Sequence, residues 1–284
     1  MAQIIRFLGA PAGAGRIRLH AGRNRLHAAL AGVRAASDND GIPSTIQEPV
    51  MQGAPASRQQ QLEQAERVGP AFSVDGMLAA RNGTRRAIAE IAARVRPGMV
   101  EEDAVEMAKG VLRDAGLALS WHPTRVRFGR NTVKPMRLAS EPGIVLGEND
   151  IFFIDIAPRM DAFEGDGGAS FVVGKHDEYE RCAADAEALF HELRGIWARD
   201  GLTGRQLYEH GKQWALARGW VLNFDLPGHR VSDFPHAAIH TGSLAEFDGA
   251  PLPVRWILEI HLRHPSEAFG AFFEDMLLGD SFFG

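Results

Sequence analysis

Four carboxylates and one histidine set inside apolar, strand-like runs constrain this chain more than any other feature. Asp155 sits in IFFIDIAP, Asp166 opens DGGASFVVG, His229 lies in LPGHRV, Glu259 in WILEIHL and Glu274 in FFEDMLLG. A half-buried carboxylate with no partner is expensive, so residues of this kind in such runs need a compensating cation. Four carboxylates and an imidazole are enough for two divalent metal ions. Oxygen-rich donors with one nitrogen suit Mn²⁺, Co²⁺, Fe²⁺ or Zn²⁺, whereas thiolates select softer ions.

Composition narrows the alternatives. The net charge of −5 argues against general nucleic-acid affinity. It is unevenly spread: residues 1–35 hold six Arg and no acid, leaving 25 basic and 36 acidic residues for the remainder. The single cysteine, Cys182, excludes an internal disulfide framework and fits a reducing compartment. It has no paired histidine in an obvious arrangement, so a thiol nucleophile is not expected. No apolar run approaches the ~20 residues that span a membrane, and no secretory signal is evident at the N-terminus. The cytoplasm is the expected location. There is no phosphate-cradling glycine loop, zinc-finger spacing or G-x-S-x-G elbow.

Residues 1–72, rich in Ala, Gly, Arg and Gln, hold too few large apolar side chains to form a core. They are expected to be a disordered extension or the product of a misplaced start codon, with an Arg-rich presequence as the alternative. Residues 73–284 form the expected domain. SVDGMLAARNGTRRAIAEIAARV has helical spacing and stops at Arg96-Pro97-Gly98, and VEEDAVEMAKGVLRDAGL is a second helix ending at Gly116. Strands are expected in LSWHPTRVRFG, GIVL, IFFIDIA and ASFVVG. Two more helices follow, YERCAADAEALFHELRGIWARDGL and TGRQLYEHGKQWALARGW, then strand pieces around LNFDLPGH, RWILEIHL and FGAFFEDMLL. The second helices of the two pairs share a leading Gly, a similar length and a small-residue stop, which marks an internal repeat of two helices followed by sheet. An α+β domain of two pseudo-symmetric halves, with a site between them, is the expected architecture.

On IDIAPRMDAFEGDGGASFVVG, PGHR, LEI, FEDMLL and the turn RPGM, the chain resembles the superfamily of methionine aminopeptidase, aminopeptidase P, prolidase and creatinase, over roughly residues 74–280. The resemblance implies the pita-bread fold and a dinuclear metal centre. In it Asp155 would chelate one ion, Asp166 and Glu274 would bridge both, and His229 and Glu259 would complete the second. It also implies an aminopeptidase in which a metal-bridging hydroxide attacks the first peptide bond of a short peptide, with Mn²⁺ or Co²⁺ ahead of Fe²⁺ or Zn²⁺. The alternatives are a creatinase-like hydrolase of a small amide metabolite and a catalytically inert binding module. No membrane or nucleic-acid partner is implied, and a homodimer is compatible with it. His122 would contact substrate, and His236, seven residues after His229, would stabilise the tetrahedral oxyanion, with His240 as a nearby substitute. His261 and His264 would point away from the metals. The chain departs from the family at Arg230, where a glycine is usual, at Asp225, where proline-specific members carry histidine, and at Ala169, where arginine is usual. Arg230 would then be free to pair with a substrate carboxylate. Trp121, Trp256, Phe224 and Phe234 are candidates for an apolar pocket wall, with core packing as the plainer reading.

Overall fold

The computed structural model describes residues 57–282. It opens with helix α1 (Arg58–Ala65), started by a reciprocal capping box between Ser57 and Gln60. This helix lies inside the stretch expected to be an extension, so the domain boundary moves from 73 back to 57. Residues 1–56, with the presequence reading, lie outside the described residues. Periodicity could not reveal α1 because polar contacts from far along the chain anchor it, as described below.

Helix α2 (Val74–Arg94) starts at Ser73, whose side chain accepts from Gly76 N, and buries Met77, Ala80, Thr84, Ala87, Ile88 and Ile91 along one stripe. Three acids occupy the first turn of α3 (Glu101–Asp114), where the helix dipole favours them. Strand β1 (Arg125–Phe128) follows, then β2 (Asp150–Ile156), a short ribbon of β3 (Arg159–Met160) and β4 (Phe163–Glu164), and β5 (Gly167–Val173). The second helix pair is α4 (Asp177–Asp200) and α5 (Gly204–Ala217), and the remaining strands are β6 (Val221–Leu222), β7 (His229–Arg230), β8 (Trp256–Arg263) and β9 (Gly270–Met276).

One antiparallel sheet runs β1-β2-β5-β9-β8-β6, with β7 also paired to β8. The expected repeat is visible in it. Helices α2 and α3 cover the β1-β2-β5 half through Phe152, Ile154 and Ile156. Helices α4 and α5 cover the β9-β8-β6 half through Leu258, Ile260 and Phe273. Each such fully buried side chain contributes roughly 1.5–3 kcal/mol. Alternation along the strands then turns Asp155, Glu259 and Glu274 to the opposite face.

Three expected strands are shorter or absent. GIVL contributes only a bridge from Val145 to Val100. LNFDLPGH yields two-residue pieces interrupted at Gly228, whose φ is +67°. LSWHPTRVRFG becomes strand only at Arg125, because Pro123 cannot donate to a ladder. Cys182 is fully buried in α4, and burial pushes its thiol up to about 12, in keeping with an inert cysteine.

Candidate metal centre

Strand register brings the carboxylates together. Asp155 lies opposite Gly168, Gly168 opposite Glu274, and Glu274 opposite Glu259, so three acids and a glycine form one row across four strands. Asp166 precedes Gly168 by two residues, just ahead of β5. The glycine is required: a Cβ there would meet the Phe272 ring at 2.4 Å and the Ile154 carbonyl at 2.9 Å. His229 pairs with Ile257, two residues before Glu259. Gly228 sets its approach, with no room for a Cβ between Ile257 O at 2.6 Å and the Tyr208 hydroxyl at 2.8 Å, and donates its N–H to Glu259 Oε2 at 2.8 Å. Tyr208 from α5 in turn donates to Glu259 O (2.9 Å), holding that stretch of β8 between β6 and β7.

The donor set fits divalent cations. Asp155 Oδ1 and Glu274 Oε1 are buried with no hydrogen-bond partner, a costly arrangement unless an ion completes it. Ligand atoms of Asp166, His229 and Glu274 lie within 4.8 Å of one another, and so do those of His122, Asp155 and Asp166. Asp166 belongs to both groups, as a bridging residue must. His229 Nδ1 lies 2.8 Å from Arg230 O, which can only accept, so Nδ1 carries a proton and Nε2 is left for a ligand bond, 2.9 Å from Asp166 Oδ2. Glu259 stands beside Glu274 in the row but in neither tight group.

Titration follows from this crowding. Burial, then Asp166, Asp155 and Glu259, push Glu274 well above the usual carboxylate range. Burial raises Asp155 to about 7 against the pull of His122. Burial opposes the charge on Asp166 too, but hydrogen bonds from His122 and His229 outweigh it and hold Asp166 low. Burial also opposes charge on the two rings, and is overcome by Asp166 at His229, raised to about 10, and by Asp155 and Asp166 at His122, raised to about 9. At pH 7 the metal-free centre therefore holds protons that an ion must displace. Calorimetric titration with Mn²⁺ in buffers of different ionisation enthalpy is expected to show net proton release at pH 7, with affinity rising as pH is raised toward 9. Binding without proton release would contradict these assignments.

Around the row, His122 occupies the turn before β1 rather than a strand, with Nε2 3.3 Å from Asp166 Oδ1 and 3.5 Å from Asp155 Oδ1. Trp121 presents its ring edge-on to His122, His229 and His236 at centroid distances of 4.6, 5.2 and 5.1 Å, and donates to Gly165 O. Of the four aromatic wall candidates, only Trp121 packs on the site histidines. Trp256 is fully buried in the helix-side core, and Phe224 and Phe234 are exposed. The His236 ring stacks nearly parallel to His229 at 5.8 Å. His240 instead lines a surface cavity of about 620 Å³ with Leu62 and Phe247. His261 is buried against Thr132 O and Asn223, and His264 stacks on Phe269. Asp225 faces Arg263 at 3.4 Å.

Arg230 overturns an expectation. It is 1% exposed and donates to Ala65 O, Glu66 Oε2 and Arg67 O at 2.8–2.9 Å, so it is not available to a substrate carboxylate. Sequence reading also missed Glu164 and Tyr208. Glu164 carried a signal of its own, an acid two residues before Asp166 in a stretch that folds back on itself.

A third group, Glu178, His264 and Glu267, also has ligand atoms within 4.8 Å of one another. There His264 Nδ1 accepts from Glu267 N at 2.8 Å, so in the neutral ring Nε2 bears the proton and lacks a lone pair for a metal.

Comparison with known proteins agrees with the geometry. Residues 75–278 match the model of metallopeptidase family M24. No curated protein sequence matches. Among solved structures, the X-Pro aminopeptidase of Thermotoga maritima aligns at 18% identity and a TM-score of 0.60, covering 77% of this chain and 62% of that one. The prolidase of Pyrococcus horikoshii aligns at 14% and 0.62, covering 78% and 63%. The chain thus spans less than two thirds of the length of either. The methionine aminopeptidase of Thermotoga maritima aligns at 13% and 0.59, covering 75% of this chain and 96% of that one. The fold is the pita-bread fold, and the chain belongs to metallopeptidase family M24.

Proposed function

We propose that this chain is an aminopeptidase dependent on two divalent ions, with Asp155, Asp166, His229, Glu259 and Glu274 as their ligands. The observation that carries the reading is the place of Asp166 in both ligand groups, beside the buried and unpartnered Asp155 Oδ1 and Glu274 Oε1. When bound, two ions would supply an activated water and polarise the scissile carbonyl. The chain's own residues do the rest. The carboxylate row forms the floor, and His122, His229 and His236, at 16%, 26% and 12% side-chain exposure, form the rim toward solvent. His122 and His236 are the residues proposed to contact the substrate. Trp121 packs edge-on against all three rings and limits their rotation.

Mn²⁺ or Co²⁺ is the expected metal, with Fe²⁺ or Zn²⁺ as alternatives. The test is incubation of the purified protein with Mn²⁺, then Co²⁺, against a mass-spectrometric panel of Met-Xaa, Xaa-Pro and other short peptides. Loss of one N-terminal residue supports the reading and names the specificity. A silent panel with two metals bound would replace the peptide by a small amide substrate, and silence without metal would leave a binding module.

A further inference from the structure

We propose that Glu164 is a positioning residue for His236, holding a proton on Nδ1 so that Nε2 is the ring atom left for substrate. The proposal rests on the reading of this centre as a peptidase site. Glu164 ends β4 and is 1% exposed. Its Oε1 accepts the His236 backbone N–H at 2.9 Å. Its Oε2 accepts the Ser232 N–H at 3.0 Å and lies 2.8 Å from His236 Nδ1. All three contacts go to the single loop that carries His236. The backbone joins the same segments, with Glu164 N donating to Ser232 O and Phe234 N to Ala162 O.

Burial of one more acid two residues from Asp166 adds charge to a centre already crowded with carboxylates. Three donors from one loop compensate it, and their geometry determines the ring. Since Oε2 already accepts from a backbone N–H, the carboxylate faces Nδ1 as an acceptor, and the proton between them belongs to Nδ1. His236 Nε2 has no hydrogen-bond partner among the described residues. A neutral His236 is therefore an acceptor at Nε2, suited to an N–H of the substrate. Only a ring carrying both protons could donate to an oxyanion, which narrows the role expected from sequence.

The test has two arms. The first is nitrogen NMR of the full chain labelled with ¹⁵N-histidine, metal-free and loaded with diamagnetic Zn²⁺, with His236 identified from its absence in His236→Gln. The expected result is a protonated Nδ1 at His236 in the wild type and a shift of the proton toward Nε2 in Glu164→Gln. A bare Nδ1 in the wild type would overturn the proposal, and so would a signal unmoved by Glu164→Gln. The second arm is a double-mutant cycle on turnover. Glu164→Gln is expected to lower kcat by about 10–100-fold, the range for outer-shell partners, with KM within about threefold and metal stoichiometry unchanged. In the His236→Gln background it should cost nothing further. Independent, multiplying losses would overturn the proposal by showing that Glu164 acts elsewhere. The wild-type spectrum needs no Glu164 variant, so a poorly folding variant leaves the first arm decisive. Absence of any peptide turnover by the wild type would sink the peptidase reading alone.

Discussion

Asp166→Ala and Glu274→Gln are each expected to lower turnover by more than about 100-fold, the upper end for outer-shell changes, yet to shift the stability of the metal-free protein in opposite directions. Both substitutions remove a proposed bridging ligand, so bound metal falls in both. Without metal, however, the two carboxylates sit in different environments. Asp166 is held charged by His122 and His229, and alanine strips both rings of their anionic partner. Glu274 is pushed up by burial and by three neighbouring acids, so glutamine relieves a cost of about 1–3 kcal/mol, typical of an unsatisfied buried polar group. The pH dependence follows. A carboxyl whose folded pKa lies above its ordinary 4.5 costs nothing below that value, and its cost grows as pH rises above it. The gain from Glu274→Gln should be present at pH 7 and vanish below about pH 4.5. Thermal unfolding of chelator-treated proteins across that range is the measurement. Equal destabilisation by both variants would mean that the row is a structural network and not a cation site.

Arg230→Ala is expected to destabilise the protein by about 3–5 kcal/mol, the cost of breaking a buried ion pair from one side. Its effect on the preference between acidic and neutral substrates should be nil. The guanidinium and Glu66 form a polar knot: Glu66 also accepts from Leu252 N and Trp256 Nε1, and Arg255 reaches Glu66 O. Asp233 adds a second clasp by accepting from Gly69 N and Ala71 N at 2.7 and 2.9 Å. Residues 66–71 thereby strap the segment that runs from His229 to His236. Chemical denaturation of the variant gives the stability change. A near-normal midpoint with selective loss of acidic-peptide turnover would restore Arg230 as a substrate contact.

How much was legible in sequence depended on whether a contact was local or periodic. The ligand row was legible because charged residues in period-two apolar runs stand out, and because alternation in β2, β8 and β9 turns each of them off the helix-covered face. The helix pairs were legible from their stripes and glycine stops. The strap was not, since α1 buries almost nothing by its own periodicity and depends on Arg230 and Asp233, over 160 positions away. Arg230 misleads for the same reason: a cation beside a ligand histidine reads as a substrate contact until its partners appear. Glu164 shows in the sequence only as an acid two residues before Asp166, because its value lies in three donors from a loop whose return path no local pattern encodes. His122 reads as strand because LSWHPTRVRFG is strand-like as a whole, although Pro123 cannot join a ladder.

The most direct measurement is anomalous diffraction from crystals of the full chain grown with Mn²⁺. Two peaks about 3.5–4 Å apart, both within bonding distance of Asp166, are the expected result. A single ion away from Asp166, one at Glu178, His264 and Glu267, or no ion in the row would contradict the account.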